Sequence, residues 1–398
     1  MSRTCLVSVF GPQNIIGMLA AVTYYGTVKQ DGSVPNVIVI VHNPGLSYED
    51  VKESGDIIYQ MIKPFGWAPP IVLSSGDVDT ITRHAFWKGS DRMNAEFRKA
   101  VGSDHVDEVY FCHNFVGKVT DLCIQAYPMA ERITSGEGTG QVYDQEYLKY
   151  LNKMNEKSLK DEVLSVINRI KKITSYPLQT CLGPETKIVA FLPTDWDGKF
   201  SLNKEIIIVP RSIVKKIIDT CSQEQKTLNR YCKNMIELST PPRFLLLLSC
   251  WSEAGYMQPD AEVAMNVEII RTRIPQGSTI FIKSHPSSRF PLAEGVVNHI
   301  IDDYDVQIIP QEFKRYPLEL MQPLFEQCQV ITFSTVILTI RYLFEREVIN
   351  PINEGIMKKF FPARTWYAIE DTQQWFAGSL HNLPTWDGKS ILWSGTPK

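Results

Sequence analysis

The chain is predicted to be an α/β protein with two doubly wound, parallel-sheet domains facing each other across a cleft. Three observations predict it. Short β-rich runs recur, each closed by turn residues and followed by a helical pattern. A second series of the same kind starts afresh after Thr240-Pro241-Pro242. The first run of that second series, 244–248, is apolar throughout, as expected of a strand buried on both faces of a parallel sheet.

In the first series, strands are predicted at 4–10, 37–41, 71–73, 108–112, 132–134, 188–192 and 206–209. A helix over 15–25 follows Gly11-Pro12-Gln13-Asn14, with a turn-forming Asn ahead of an apolar face. Residues 145–172 turn Lys/Glu/Asn-rich. Leu148, Leu151, Leu159, Val163 and Ile167 fall there at roughly helical spacing, which predicts solvated helices beside the first sheet. The second series then reads as helix 260–271, strand 279–283, helix 292–301, strand 306–309, helix 317–326, strand 330–333 and helix 336–344. The tail carries Trp366, Trp375, Phe376, Trp386 and Trp393 and is expected to pack back across the domain junction. The domains are therefore drawn at 1–239, 240–360 and a tail, 361–398.

At 398 residues the chain is long enough for two domains. It is 44% hydrophobic and 21% charged, within the range of ordinary globular proteins. A net charge of −3 without a Lys/Arg block argues against nucleic-acid binding as the main role. Eight cysteines stand at 5, 112, 123, 181, 221, 232, 250 and 328 with no C-x-x-C pair. Cys5, Cys112 and Cys250 lie in apolar runs and read as buried, reduced thiols, pointing to a reducing compartment. Residues 1–10 read as a strand broken by Gly11-Pro12, not as a signal peptide. The longest apolar stretch, 330–344, is interrupted by Thr332, Ser334, Thr335, Thr339 and Arg341, too short and polar to span a bilayer. A cytoplasmic location is expected, peripheral membrane association stays open, and nothing speaks to oligomeric state.

Ligands of open α/β sheets bind beyond the carboxyl ends of the strands, so the loops there are where chemistry is expected. Lys283-Ser284-His285-Pro286 follows one strand and offers a cation, a hydroxyl and an imidazole to a phosphate; an isolated His-Pro is equally a polar turn. Ser334-Thr335 opens a helix, where hydroxyls and backbone N–H groups form an anion seat; it also describes a plain N-cap, and the two roles are compatible. Gly136-Glu137-Gly138-Thr139-Gly140 places one carboxylate among glycines, suited to a general base. The alternatives there are a surface turn or a dinucleotide loop, the latter with the wrong glycine spacing.

Taken in chain order, the three segments resemble the bacterial sialyltransferases and polysialyltransferases of the GT-B type, with their D/E-D/E-G, H-P and S-S/T motifs. Pro317-Leu318-Glu319 looks like the P-x-E element of that group, and Pro12-Gln13-Asn14 is similar to its first loop. The resemblance runs from near the N-terminus to about residue 344. One position departs: Gly136 stands where the first acid of D/E-D/E-G would be, leaving Glu137 as the carboxylate and Asp144 in reserve. Glu137-Gly138-Thr139-Gly140 looks closer to the polysialyltransferase branch.

The resemblance implies a GT-B fold of two Rossmann-like domains and an inverting, metal-independent transfer of sialic acid from CMP-sialic acid to a glycan hydroxyl. No cofactor is implied beyond that donor substrate. Glu137 would be the base. His285 would hydrogen-bond the departing CMP phosphate, with Ser334 and Thr335 completing its cradle. Glu319 would accept from the ribose hydroxyls, and Lys283 and Ser284 would lie near the cytosine beside Pro286. Gln13, Asn14 and Gly138 would meet acceptor or donor sugar. The alternatives are a transferase of another CMP-activated ulosonic acid, of Kdo or legionaminic type, a nucleotide-sugar-binding protein impaired in catalysis, and a UDP-sugar isomerase of the same shape.

Overall fold

The computed structural model describes residues 3–29, 34–88, 90–112, 117–135, 186–192, 204–382 and 390–393. They form two compact units, each built on its own sheet. The division falls between Ile217 and Ile218, inside the helix Arg211–Glu224. Residue 240, the boundary drawn from the sequence, lies just ahead of the second unit's first strand.

Strands are numbered in chain order. The first sheet holds β1 (Thr4–Val9), β2 (Asn36–Val41), β3 (Ile71–Val72), β4 (Glu108–Phe111), β5 (Glu131–Thr134), β6 (Lys187–Ala190) and β7 (Lys204–Ile208), joined at one edge by β13 (Ser390–Trp393) from the tail. The order is β13-β7-β6-β5-β4-β1-β2-β3, and every pair is parallel except β13 with β7. The chain thus winds one way from β1 and the other way from β4, placing a topological switch between them. The helix Ile15–Val28 is apolar on nearly all sides and buries Ile15, Ile16, Met18, Leu19 and Val22. Such a helix is stable only inside a layered core.

The amino ends of these parallel strands share a charged network at the edge opposite the ligand loops. Glu108 is 1% exposed and accepts from Arg3 Nη1 (3.2 Å), Lys29 Nζ (2.7 Å) and Tyr110 Oη (2.7 Å). Glu131 accepts from Tyr25 Oη at 2.8 Å and pairs with Lys187 at 2.7 Å and with Lys29. Burial alone would raise the Glu131 carboxyl; hydrogen bonds from Lys187, Lys29 and Tyr25 outweigh it and hold it at about 2, below the ordinary 4.5. A depressed carboxylate stabilises the fold above its unfolded pKa, and that contribution is lost as pH falls. Stability should therefore drop between about pH 4.5 and about pH 2, and Glu131→Gln should shallow that limb in thermal melts. An unchanged acid limb in the variant would rule the network out as its source.

The second sheet holds β8 (Arg243–Leu247), β9 (Thr279–Lys283), β10 (Asp305–Ile308), β11 (Gln329–Ile331) and β12 (Val348–Ile349). All pairs are parallel, in the order β10-β9-β8-β11-β12. Here the switch lies between β8 and β11. The fold is therefore two Rossmann-like α/β domains, as the alternating pattern predicts.

Two helices depart from expectation. The predicted helix 317–326 is a 3-10 turn, Leu318–Met321, followed by a short α-helix, Gln322–Phe325. Pro323 explains the break: inside one continuous helix it would lack an N–H and clash with the preceding turn, whereas the first turn of a new helix tolerates it. The predicted helix 292–301 is α-helical only over Leu292–Val297. The expected helices within 145–172 lie outside the described residues. In the tail, the helix Ala363–Asn382 belongs to the second unit, where Phe376 meets Phe333 edge-on at 5.5 Å. The seven described cysteines are free; Cys5 and Cys112 are buried as expected, but Cys250 is only half-buried. Among the described residues no helix is long and apolar enough to cross a membrane.

Candidate functional site

Strand order decides where the second unit's chemistry sits. β8 lies between β9 and β11, so the loops after these three strands emerge side by side from one sheet edge. His285 stands two residues past the end of β9 and is half-buried. Its Nδ1 accepts the Ser287 backbone N–H at 3.2 Å, a bond that the tight turn at Pro286 allows. A ring nitrogen that accepts carries no proton, so the neutral ring keeps its hydrogen on Nε2. Burial, reinforced by the charges of Lys283 and Lys314, pulls His285 down to about 4, with Glu253 opposing. At neutral pH the side chain is an uncharged donor through Nε2.

Beneath this loop lie buried charges. Lys283 is 5% exposed and donates to the Lys314 carbonyl at 2.6 Å. Burial lowers it to about 8, with Glu319 opposing and Lys314 adding to the fall. Lys314 donates in turn to the Ser288 carbonyl. Glu319, on the 3-10 turn Leu318–Met321, is 6% exposed and raised by burial, against its own backbone N–H and Lys283. Lys283 is therefore a pillar under the H-P loop, tied into its base, with Glu319 as its electrostatic partner.

The S-T segment opens the helix Val336–Phe344. Thr335 occupies the N-cap position with helical backbone angles (φ −58°, ψ −17°), and its side chain makes no capping bond. Ser334 Oγ instead accepts weakly from the Val336 N–H at 3.4 Å and lies 3.3 Å from Thr332 Oγ1. The helix start thus keeps the Thr335 hydroxyl out of its own cap. That suits a site where a hydroxyl and the positive helix end receive an anion together.

The sequence reading passed over the loop after β8. There Glu262, 1% exposed on the helix Pro259–Arg273, accepts from Trp251 N–H (2.8 Å), Ser252 N–H (2.8 Å) and Ser252 Oγ (2.6 Å). Glu253 accepts from the Arg289 N–H at 2.7 Å and so fastens this loop to the H-P loop. Trp251 packs on Phe333 at 5.6 Å and edge-on against Phe361 at 5.4 Å. No motif marks these residues. The signal that finds them is the apolar β8 itself, whose central place puts its following loop where open α/β sheets bind their ligands.

In the first unit, the loop after β1 reaches the β1/β4 switch. Asn14 is buried, and its Oδ1 accepts the Phe10 N–H at 3.3 Å, so part of its amide closes the loop. Gln13 is half-buried and folds over Gly11, where an added Cβ would lie 2.6 Å from Gln13 Oε1. Ser135, just after β5, donates to the Gly17 carbonyl at 3.0 Å. Glu137, Gly138 and Asp144 lie outside the described residues. Among the described residues no group of three His, Cys, Asp or Glu is placed to hold a metal ion.

The alpha-2,8-polysialyltransferase (POLYST) family model matches residues 105–350, well over half the chain. The chain belongs to the alpha-2,8-polysialyltransferase family. As a member it is a sialyltransferase-type glycosyltransferase, which implies a nucleotide-sugar donor and a glycan acceptor. The matched span takes in Glu137, His285-Pro286, Glu319 and Ser334-Thr335, and it stops short of Gln13-Asn14. No curated protein matches the sequence. Among solved structures the chain is similar to UDP-GlcNAc 2-epimerase from Neisseria meningitidis bound to UDP-GlcNAc, at 11% identity over 96% of this chain and 97% of that one, with a TM-score of 0.47. The UDP-GlcNAc 2-epimerase of Methanocaldococcus jannaschii, in complex with UDP-GlcNAc and UDP, is 12% identical over 94% and 99%, TM-score 0.46. CalG4, the calicheamicin glycosyltransferase, is 11% identical over 98% and 95%, TM-score 0.38.

Proposed function

We propose that this family member is an inverting, metal-independent transferase that moves sialic acid from CMP-sialic acid to a glycan hydroxyl. The observation that carries the reading is the state of His285. It is a neutral imidazole with Nδ1 occupied by a backbone N–H and Nε2–H left as the donor, on the same sheet edge as the helix start at Ser334-Thr335. Transfer of a sialyl group releases CMP, so negative charge grows on a phosphate oxygen as the glycosidic bond breaks. A fixed N–H, two hydroxyls and a helix N-terminus can stabilise that charge without a cation. Glu319 would take the ribose hydroxyls, and Ser284 and Pro286 would border the cytosine, with Lys283, expected from the sequence to lie there too, instead supporting that loop from beneath. Glu137 would remove the acceptor proton, and Gln13, Asn14 and Gly138 would touch the sugars.

A thermal-shift panel of CMP, CDP, UDP, GDP and NAD tests the donor nucleotide. Selective stabilisation by CMP is expected, and a rise with UDP instead would refute the assignment. His285→Ala should weaken that CMP shift and lower kcat by about 10²- to 10³-fold, as loss of a charge-stabilising donor does. Because the free imidazole stays neutral above about pH 4, donor kcat/KM should show no inflection near 6.5. Transfer should also survive a chelator.

A further inference from the structure

We infer that Ser249, at the tip of β8, is a further contact for the donor phosphate, and that Glu262 is the residue that positions it. The inference rests on the proposed CMP site and extends it to a loop outside the H-P and S-T motifs. Strand register makes the case. Leu247 of β8 pairs with Lys283 of β9, so two residues further on Ser249 comes level with His285. On the other side Leu246 pairs with Ile331 of β11, so three residues on Ser249 comes level with Ser334. Neighbouring strands are about 4.8 Å apart, which puts the tips of β9 and β11 roughly 10 Å apart with β8 between them. A phosphate held from both sides therefore lies over the end of β8.

The side chains agree with that placement. Ser249 is half-buried, and its hydroxyl reaches the Phe333 carbonyl only at 3.5 Å, a long bond that an incoming phosphate oxygen can replace. Thr332 Oγ1 reaches back to the Leu247 carbonyl at 3.4 Å, binding the two strand ends together. The loop beyond Ser249 is then fixed from below. Glu262 holds two successive backbone N–H groups and one hydroxyl, Glu253 ties the next turn to Arg289, and Trp251 is wedged against Phe333 and Phe361. Fixing a loop in this way pre-organises the groups it presents.

Binding of CMP and of cytidine, by calorimetry on the full chain, separates a phosphate contact from a structural role. Ser249→Ala should raise the CMP dissociation constant about 10-fold, leave cytidine within about 2-fold, and raise donor KM with it. Glu262→Ala should raise CMP dissociation by about 10- to 100-fold, with Glu262→Gln between it and the parent, since the amide keeps one acceptor. If Glu262→Ala does not fold, Ser252→Ala removes one of the three bonds and reads the same trend. A folded Ser249→Ala protein that binds CMP like the parent, or that loses CMP and cytidine equally, overturns the contact. Folded Glu262 and Ser252 variants with parental CMP affinity overturn the positioning role. Failure of the underlying site looks different: the parent protein itself would not bind CMP.

Discussion

Glu137→Gln should abolish most transfer while leaving CMP binding intact. In the proposed reaction an acceptor hydroxyl attacks the anomeric carbon of the donor, and its proton must leave as the new bond forms. A sugar hydroxyl is a poor nucleophile until that proton is taken, so a positioned carboxylate contributes about 10²- to 10⁴-fold. Glutamine keeps the size and hydrogen-bonding reach of glutamate but cannot accept the proton. The nucleotide half of the donor is assigned to residues after β8, β9, β10 and β11, far along the chain from position 137, so CMP affinity should stay at the parental value. Product formation and CMP release, followed side by side, check both halves. Normal turnover by the variant would remove Glu137 from the base role and move attention to Asp144→Asn. Loss of CMP affinity together with turnover would instead make Glu137 a donor-binding residue.

Much of the fold was legible because strand identity in a parallel sheet depends on continuous burial. β8, β9 and β4 are runs whose members are almost all buried, and such runs announce themselves as apolar segments between turns. Several helices of the first unit were not placed, although their start signals are present. Ser47 and Asp50 form a reciprocal capping box ahead of Tyr48–Ile62, and Ser74 with Asp77 does the same ahead of Ser75–Lys88. In Tyr48–Ile62 the buried face itself carries Ser54 and Gly55 among Val51, Ile58, Met61 and Ile62, so residue type understates a stripe that burial makes plain.

The site divides along a similar line. His285, Ser334 and Thr335 could be singled out because residue type and position after a strand are both local properties. The loop after β8 could not, since Glu262 reaches Trp251 and Ser252 across ten or more positions and only tertiary structure brings them together. The burial of Lys283 was invisible for the same reason. A lysine ending a strand reads as a surface cation, and only the carbonyl of Lys314 and the nearby Glu319 show it to be an internal support.

The largest effect on stability is expected at the opposite edge of the first sheet. Glu108→Gln should destabilise the protein by about 3–5 kcal/mol, the usual cost of removing one partner from a buried ion pair. Arg3 decides the size of the loss. Its side chain is 7% exposed and also donates to the Val22 carbonyl, so losing the carboxylate leaves a buried charge with weaker compensation, whereas Lys29, at 34% exposure, can turn outward. Tyr110 Oη and Cys5 Sγ also donate to Glu108, at 2.7 and 3.4 Å, and an amide satisfies them only in part. Chemical denaturation should therefore show a lower midpoint for the first unit's transition. Replacing the buried set together, as Arg3→Met with Glu108→Leu and Tyr110→Phe, should recover much of the loss, because apolar side chains of similar volume pay no desolvation and leave no hydroxyl without an acceptor. The folded fraction of Glu108→Gln should bind CMP as the parent does, since the network lies at the amino ends of the first sheet's strands and the proposed CMP contacts lie at the carboxyl ends of the second sheet's. A parental midpoint for the single variant would mean that water already reaches Arg3, and a combined variant no better than the single would mean that shape, not charge, is what Glu108 contributes there.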